Sequence, residues 1–147
     1  MQPSVFHHAH RVSYGECTVG NHVYFSRFLD LVERARGEFF RHLGCPCQQL
    51  QDAGTVFPVV GATISYKAPA RYDDLLAIEL WITEMHGVRL TFAFRIGDAH
   101  GRPLVEGEMR QVCADERGRP RRLPADLAAR LRPYFHEAPA SLAVKSA

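Results

Sequence analysis

No stretch of this chain holds the roughly 18–20 uninterrupted apolar residues that a membrane-spanning helix needs, so no membrane partner is expected. The opening residues, MQPSVFHHAH, contain neither an apolar signal core nor a cleavage pattern, and a cytoplasmic protein is expected. Basic residues are not gathered into a helix interleaved with aromatics, and the net charge is only +2, which gives nucleic acid no footprint. The densest basic stretch, RGRPRR at 117–122, is short, set among prolines, and reads as a solvated turn. Cysteine is sparse. Cys45-Pro46-Cys47 falls one residue short of the CxxC spacing of redox and zinc sites, and no second pair completes four metal ligands. In a reducing compartment Cys17, Cys45, Cys47 and Cys113 stay thiols. Internal repeats and low-complexity segments are absent as well. What remains is an ordinary globular composition, 46% hydrophobic and 23% charged. At 147 residues it is read as one domain, 1–147, with a core over about 5–135 and a frayed tail after Pro139.

Hydrophobic periodicity then orders the elements. Residues 5–14 alternate, with Phe6, His8, His10, Val12 and Tyr14 on one side, as a strand. The histidines there suggest a metal at first sight, but on a strand His7 points away from His8 and His10, and no metal site is assigned. A long helix is predicted over 25–43, closed by Gly44, followed by a loop over 45–54. Four strands follow in series, at 57–67, 75–84, 88–96 and 103–113, with hairpin turns at 85–87 and 97–103. A short terminal helix is predicted over 123–135, with Pro124 near its first turn. A sheet with one apolar face needs a cover, and the only long helix available is 25–43. The fold class is therefore α+β, an antiparallel sheet wrapped around one central helix.

On that helix, at about 100° per residue from Phe25, the residues Phe28, Leu29, Val32, Ala35, Phe39, Phe40 and Leu43 form one apolar arc. Arg36 falls inside the arc at about 20°, and Glu33 stands on its boundary at about 80°. A buried guanidinium is costly unless paired. It marks either an internal ion pair, with Glu16, Glu33 or a strand glutamate, or a pocket in which Arg36 binds an anionic or carbonyl oxygen. The helix start offers a second feature. Its leading N–H groups lack intrahelical partners and carry partial positive charge, and Gly20-Asn21 turns the chain into that end. The N–H of Phe25 or a neighbour can thus hold a carbonyl oxygen under attack.

These stretches resemble a known family. RVSYGECTVGNHVYFSRFLDLVERAR, ISYKAPARYDDLLAIELWI and LVEGEMRQVCADERGRPRRLP are similar, in order and over residues 10–123, to the hotdog-fold acyl-CoA thioesterases of the 4-hydroxybenzoyl-CoA thioesterase group. The resemblance implies a hotdog fold, homodimers or homotetramers with active sites at subunit boundaries, and hydrolysis of acyl-CoA or acyl-carrier-protein thioesters. It implies no cofactor beyond the coenzyme A or phosphopantetheine that is part of the substrate. The family's Asp-x-Asp motif, whose second carboxylate is nucleophile or base, is replaced here by Glu16-Cys17-Thr18. Thr18 has no useful basicity at neutral pH.

Three replacements stand open. The pattern also resembles the thioesterases of enediyne polyketide pathways, which lack that aspartate and carry an arginine at the position of Arg36. In that pattern Arg36 and the helix-start amides hold the oxyanion while a positioned water attacks. A second thioesterase arm places its carboxylate about two helical turns below the oxyanion amide, where Glu33 stands. Glu16 or His22 is the third candidate, as general base. Tyr24, Phe25 and Phe28 are expected to line an acyl pocket, and Lys67 and Arg71 to stand near the pantetheine or phosphate entrance. Two other classes compete. One is a non-catalytic acyl-binding protein, favoured by Thr18. The other is a hotdog dehydratase, for which His22 lacks the His-Phe-Pro context.

Overall fold

A computed structural model of the chain describes residues 2–137. The tail after Pro139 lies outside them. Five strands form one antiparallel sheet: β1 (Phe6–Arg11), β4 (Val59–Tyr66), β5 (Leu75–His86), β6 (Arg89–Gly97) and β7 (Pro103–Val112), in the order β1-β5-β6-β7-β4. A two-residue hairpin, β2 (Cys17–Thr18) with β3 (His22–Val23), precedes the long helix α1 (Arg27–His42). Two short helices, α2 (Cys47–Asp52) and α3 (Ala125–Leu131), complete the chain.

The core forms where α1 meets the sheet. Phe28, Leu31, Val32, Ala35, Phe39 and Phe40 are buried against Leu76, Ile78, Leu80 and Ile82 of β5 and Leu90, Phe92, Phe94 and Ile96 of β6. Each large side chain so buried contributes about 1.5–3 kcal/mol over leaving it exposed. Phe39 stacks on Phe6 at 4.9 Å and meets Phe92 edge-on at 6.0 Å. Phe40 stacks on Phe57 at 5.7 Å.

The buried face is rotated from the predicted one. Leu31, which the predicted arc does not include, is 1% exposed, whereas Leu29, placed inside it, is 39% exposed. Counting from Phe25 at about 100° per residue, the buried face centres near 300° rather than 0°. Arg36 therefore sits on the flank of that face, not in its middle. Phe40, further round, is covered because α2 and Phe57 roof that end of α1. Guanidinium groups hold the roof in place: Arg121 donates to the Gly54 carbonyl at 2.8 Å, and Arg130 to the Leu43 carbonyl at 2.7 Å.

Other boundaries differ for local reasons. β1 stops at Arg11, because the Val12 amide donates to Asp74 and Ser13 opens a 3-10 turn over Tyr14–Glu16. Tyr14, expected inward, is 83% exposed. Helix α1 begins two residues later than predicted, and the predicted 45–54 loop contains α2, which has too few apolar residues to show a period. The terminal helix breaks at Arg132 into a 3-10 turn containing Pro133. Gly44 does close the long helix, in the left-handed region at φ +78°.

Gly107 shows how tightly the β4 side is built. A Cβ there would overlap the Thr63 carbonyl oxygen and lie 2.7 Å from Phe94. At Gly61, one strand away, the nearest atoms belong to the flexible end of Arg110. Gly107→Ala is expected to destabilise by about 3 kcal/mol, since a backbone oxygen cannot step aside, and Gly61→Ala by well under about 1 kcal/mol. Urea unfolding of both variants measures the contrast.

Candidate functional site

The chain reaches α1 through a set of local ties. The Glu16 carboxylate is bonded by His10 Nε2 at 2.8 Å and by the Ser13 hydroxyl at 2.8 Å. Gly20 at φ +96° and Asn21 at φ +58° then reverse the chain between β2 and β3, as the sequence indicated. The Tyr24 amide donates to the Glu16 carbonyl, the Val23 amide to the Ala70 carbonyl, and the Tyr66 hydroxyl to the Phe25 carbonyl at 2.8 Å. Burial pushes the Tyr66 phenol up, so it remains a donor at neutral pH.

This end of α1 is uncapped. Ser26, at the N-cap position, makes no side-chain cap hydrogen bond. Among the described residues, the backbone N–H groups of Phe25, Ser26 and Phe28 meet no acceptor, while those of Arg27 and Leu29 are satisfied. Free amides at the positive end of a helix attract an oxygen carrying negative charge. Two of these residues, Phe25 and Phe28, line a cavity of about 440 Å³ together with Thr18, His22, Val23, Tyr24, Tyr66, Lys67, Ala68 and Pro69. A cavity of that size, apolar with a few polar groups, suits a small organic ligand. Of the ten residues singled out from the sequence, six line it: Thr18, His22, Tyr24, Phe25, Phe28 and Lys67. Thr18 faces His22 across the β2–β3 hairpin. Phe28 is both wall and core, at 3% exposed. Tyr66 was missed: the sequence placed it only as a strand residue, and its position just before Lys67 was the available signal.

The other four residues stand elsewhere. Arg71 braces the turn, donating to the Gly20 and Asn21 carbonyls at 3.4 Å. Glu16 already accepts from two donors. Burial pushes its carboxyl up, but the hydrogen bonds from Ser13 and His10 and the imidazole charge outweigh this, and its pKa is lowered. It is a poor base. Glu33 is mostly exposed, and among the described residues its carboxylate pairs with Arg36.

Arg36 occupies a different cavity, of about 110 Å³, with Phe40, Cys47, Leu50, Gln51, Thr55, Val56 and Phe57. Its side chain is 14% exposed, and one Nη lies 3.3 Å from the Glu33 carboxylate. Its Nε and other Nη are buried and meet no acceptor among the described residues. Arg36 lies eight residues beyond Phe28, about 12 Å along the axis. Within one chain, the guanidinium and the helix-start amides therefore do not form the joint oxyanion cradle expected from the sequence. Nor is Arg36 consumed by an internal ion pair, since a single long contact to an exposed carboxylate leaves most of its donors free.

Comparison with known proteins agrees with this architecture. Residues 12–131 match the family model described as the thioesterase-like superfamily. The acyl-CoA thioester hydrolase YbgC of Escherichia coli O6:H1 is 38% identical over 130 residues, covering 88% of this chain and 97% of that protein. A probable thioesterase from Bartonella henselae superposes with a TM-score of 0.78 at 29% identity, covering 82% of this chain and all of that one. The Dynemicin thioesterase superposes at 0.83 over 92% of this chain and all of that one, but at 22% identity this shows likeness of fold alone.

The Glu16 pair has a pH signature. A lowered folded pKa stabilises the fold above the ordinary glutamate value of about 4.3, and that contribution is lost as pH falls through the lowered value. Glu16→Gln is expected to lower stability by about 1–2 kcal/mol at pH 7. The gap between variant and parent should close on acidification toward pH 3, as followed by thermal unfolding.

Proposed function

The chain belongs to the thioesterase-like superfamily, and from that membership we propose that it hydrolyses an acyl-CoA thioester at the uncapped start of α1. The observation that carries the reading is that two residues with unsatisfied amides, Phe25 and Phe28, line one largely apolar cavity that also holds an imidazole. In this reading the thioester carbonyl oxygen rests against the amides of Phe25 and Phe28. Tyr24, Phe25, Phe28 and Tyr66 enclose the acyl group near the reacting carbon. Lys67, paired at 3.6 Å with the exposed Glu106, stands at the mouth where the pantetheine arm and its phosphates enter.

His22 serves as the base. Water adds to the carbonyl carbon while its proton passes to the imidazole, and the negative oxygen that results is held by the amides. The C–S bond then breaks, and the thiolate leaves with the proton returned from His22, giving a carboxylic acid and free thiol. One preorganised oxyanion donor is worth about 10²–10³ in rate and a general base about 10²–10⁴, so the two can sustain turnover without the carboxylate that Thr18 replaces. Coenzyme A and acyl-carrier proteins present the same phosphopantetheine thioester, and both are kept as substrates. Thr18 favours one second reading, a non-catalytic acyl-thioester-binding protein. A panel of acyl-CoA and acyl-carrier-protein thioesters with free-thiol detection separates the two.

The working unit in this reading is a homodimer or a dimer of dimers. Val59 and Val60 on edge strand β4 are 49% and 63% exposed, and Phe25 and Leu29 stand exposed on the neighbouring helix. An unpaired edge bearing apolar side chains calls for a cover. Sedimentation at micromolar concentration is expected to give at least twice the chain mass of 16.6 kDa. A monomer at that concentration would remove this part of the reading.

Substitution tests the chemistry directly. His22→Asn is expected to lower kcat by at least about tenfold while KM changes little, because the imidazole acts on water and not in binding. Parental kcat in a folded His22→Asn protein would reject His22 as base. Thr18→Asp places a carboxylate beside the same cavity and is expected to retain or exceed parental turnover. Loss of activity in a folded Thr18→Asp protein would make the hydroxyl essential instead.

A further inference from the structure

Arg36 is built into the protein in a way that costs stability. Its Nε and one Nη are buried without an acceptor, and the Glu33 carboxylate that touches the other Nη is itself mostly in water. An unsatisfied buried donor is destabilising, more so when charged. No aspartate or glutamate lines the 110 Å³ cavity that these groups face. Its walls are Phe40, Leu50, Val56 and Phe57, with the Cys47 thiol, the Gln51 amide and the buried Thr55 as the remaining members. Burial pushes the Cys47 thiol up, so it adds no negative charge at neutral pH. The cavity is therefore cationic and short of acceptors. A planar guanidinium fork in such a place suits an oxygen with two lone pairs, or the two oxygens of a carboxylate.

The position relates this cavity to the helix start. Counted from Phe25 at about 100° per residue, Leu29 lies near 40° and Arg36 near 20°, all on one side of the axis. Phe25 and Leu29 are apolar and exposed, at 57% and 39%. Phe25 and Leu29 thus give the first turn an apolar surface on the side of the helix that carries the guanidinium, which lies about 16 Å beyond Phe25 along the axis.

We propose that the Arg36 cavity is a specificity subsite for an oxygen carried at the far end of the acyl group. Resting on the hydrolase reading above, the inference assigns the enzyme a class of substrate: medium-length acyl thioesters whose distal end bears a carboxylate or carbonyl, in preference to plain hydrocarbon chains. The guanidinium binds the distal oxygen and takes no part in water addition.

The test uses three coenzyme A thioesters of equal length, ending in methyl, ketone or carboxylate, and their non-hydrolysable thioether analogues. The parent protein is expected to favour at least one oxygenated end over methyl by tenfold or more, both in kcat/KM and in Kd for the analogues. Arg36→Met should collapse that ratio to near one, and Arg36→Lys should keep part of it. The carboxylate and ketone arms distinguish an anionic from a neutral oxygen. Arg36→Met should also raise the Tm of the ligand-free protein, because it removes the unsatisfied charge. Equal binding of all three analogues by the parent overturns the subsite, as does an unchanged ratio in Arg36→Met. A lowered Tm with dissociation of an oligomer also overturns it, because the guanidinium would then be satisfied by a second copy. If the analogues are discriminated but no thioester is cleaved, the subsite stands and the hydrolase reading falls.

Discussion

The packing of α1 on β5 and β6 is the interaction on which the rest of the molecule depends. The apolar face of one helix, led by Phe28, Val32, Phe39 and Phe40, has no alternative burial than the alternating row of Leu76, Ile78, Leu80, Phe92 and Phe94. Once that contact is made, the axis of α1 is fixed and so is the place where its first turn emerges. The free amides, the Phe25 carbonyl and the cavity beside them are consequences of where the core requires the helix to lie. The site sits on the end of a rigid element, which keeps its donors oriented without further support.

Much of this was legible in the sequence because it rests on period. The alternation of β5 and β6 and the run of α1 named the sheet, the helix and their contact. The Gly20-Asn21 turn and the Gly44 stop were legible because each needs a left-handed residue. What escaped was set by neighbours distant in sequence. Leu29, expected in the arc, is exposed and Leu31, left out of it, is buried, because the sheet meets the helix about 60° round from the arc that hydrophobicity alone suggests. Helix α2 carries too few apolar residues to announce itself, yet it is what covers Phe40 and creates the cavity of Arg36. Six of the ten candidate site residues share one cavity because they come from the helix start and from segments that end beside it. Glu33 and Arg36 were drawn toward that site by helical spacing, which measures angle well and leaves the separation along the axis to be weighed separately.

The acid–base pieces divide in an instructive way. Two groups near the β2–β3 hairpin could have replaced the absent carboxylate, and their surroundings separate them. Glu16 is committed to His10 and Ser13, and the hydrogen bonds that hold the turn also lower its basicity. His22 lies on the cavity side of the same hairpin, opposite Thr18. One end of this stretch thus secures the backbone while the hairpin itself lines the cavity.

The bond from the Tyr66 hydroxyl to the Phe25 carbonyl joins the last residue of an edge strand to the peptide that opens the helix. The two are 41 positions apart in sequence. A shift of that edge, from whatever settles along it, pulls on the Phe25–Ser26 peptide, and Phe25 lines the cavity. Occupancy of the outer border and alignment of the inner donors are mechanically linked through one phenol.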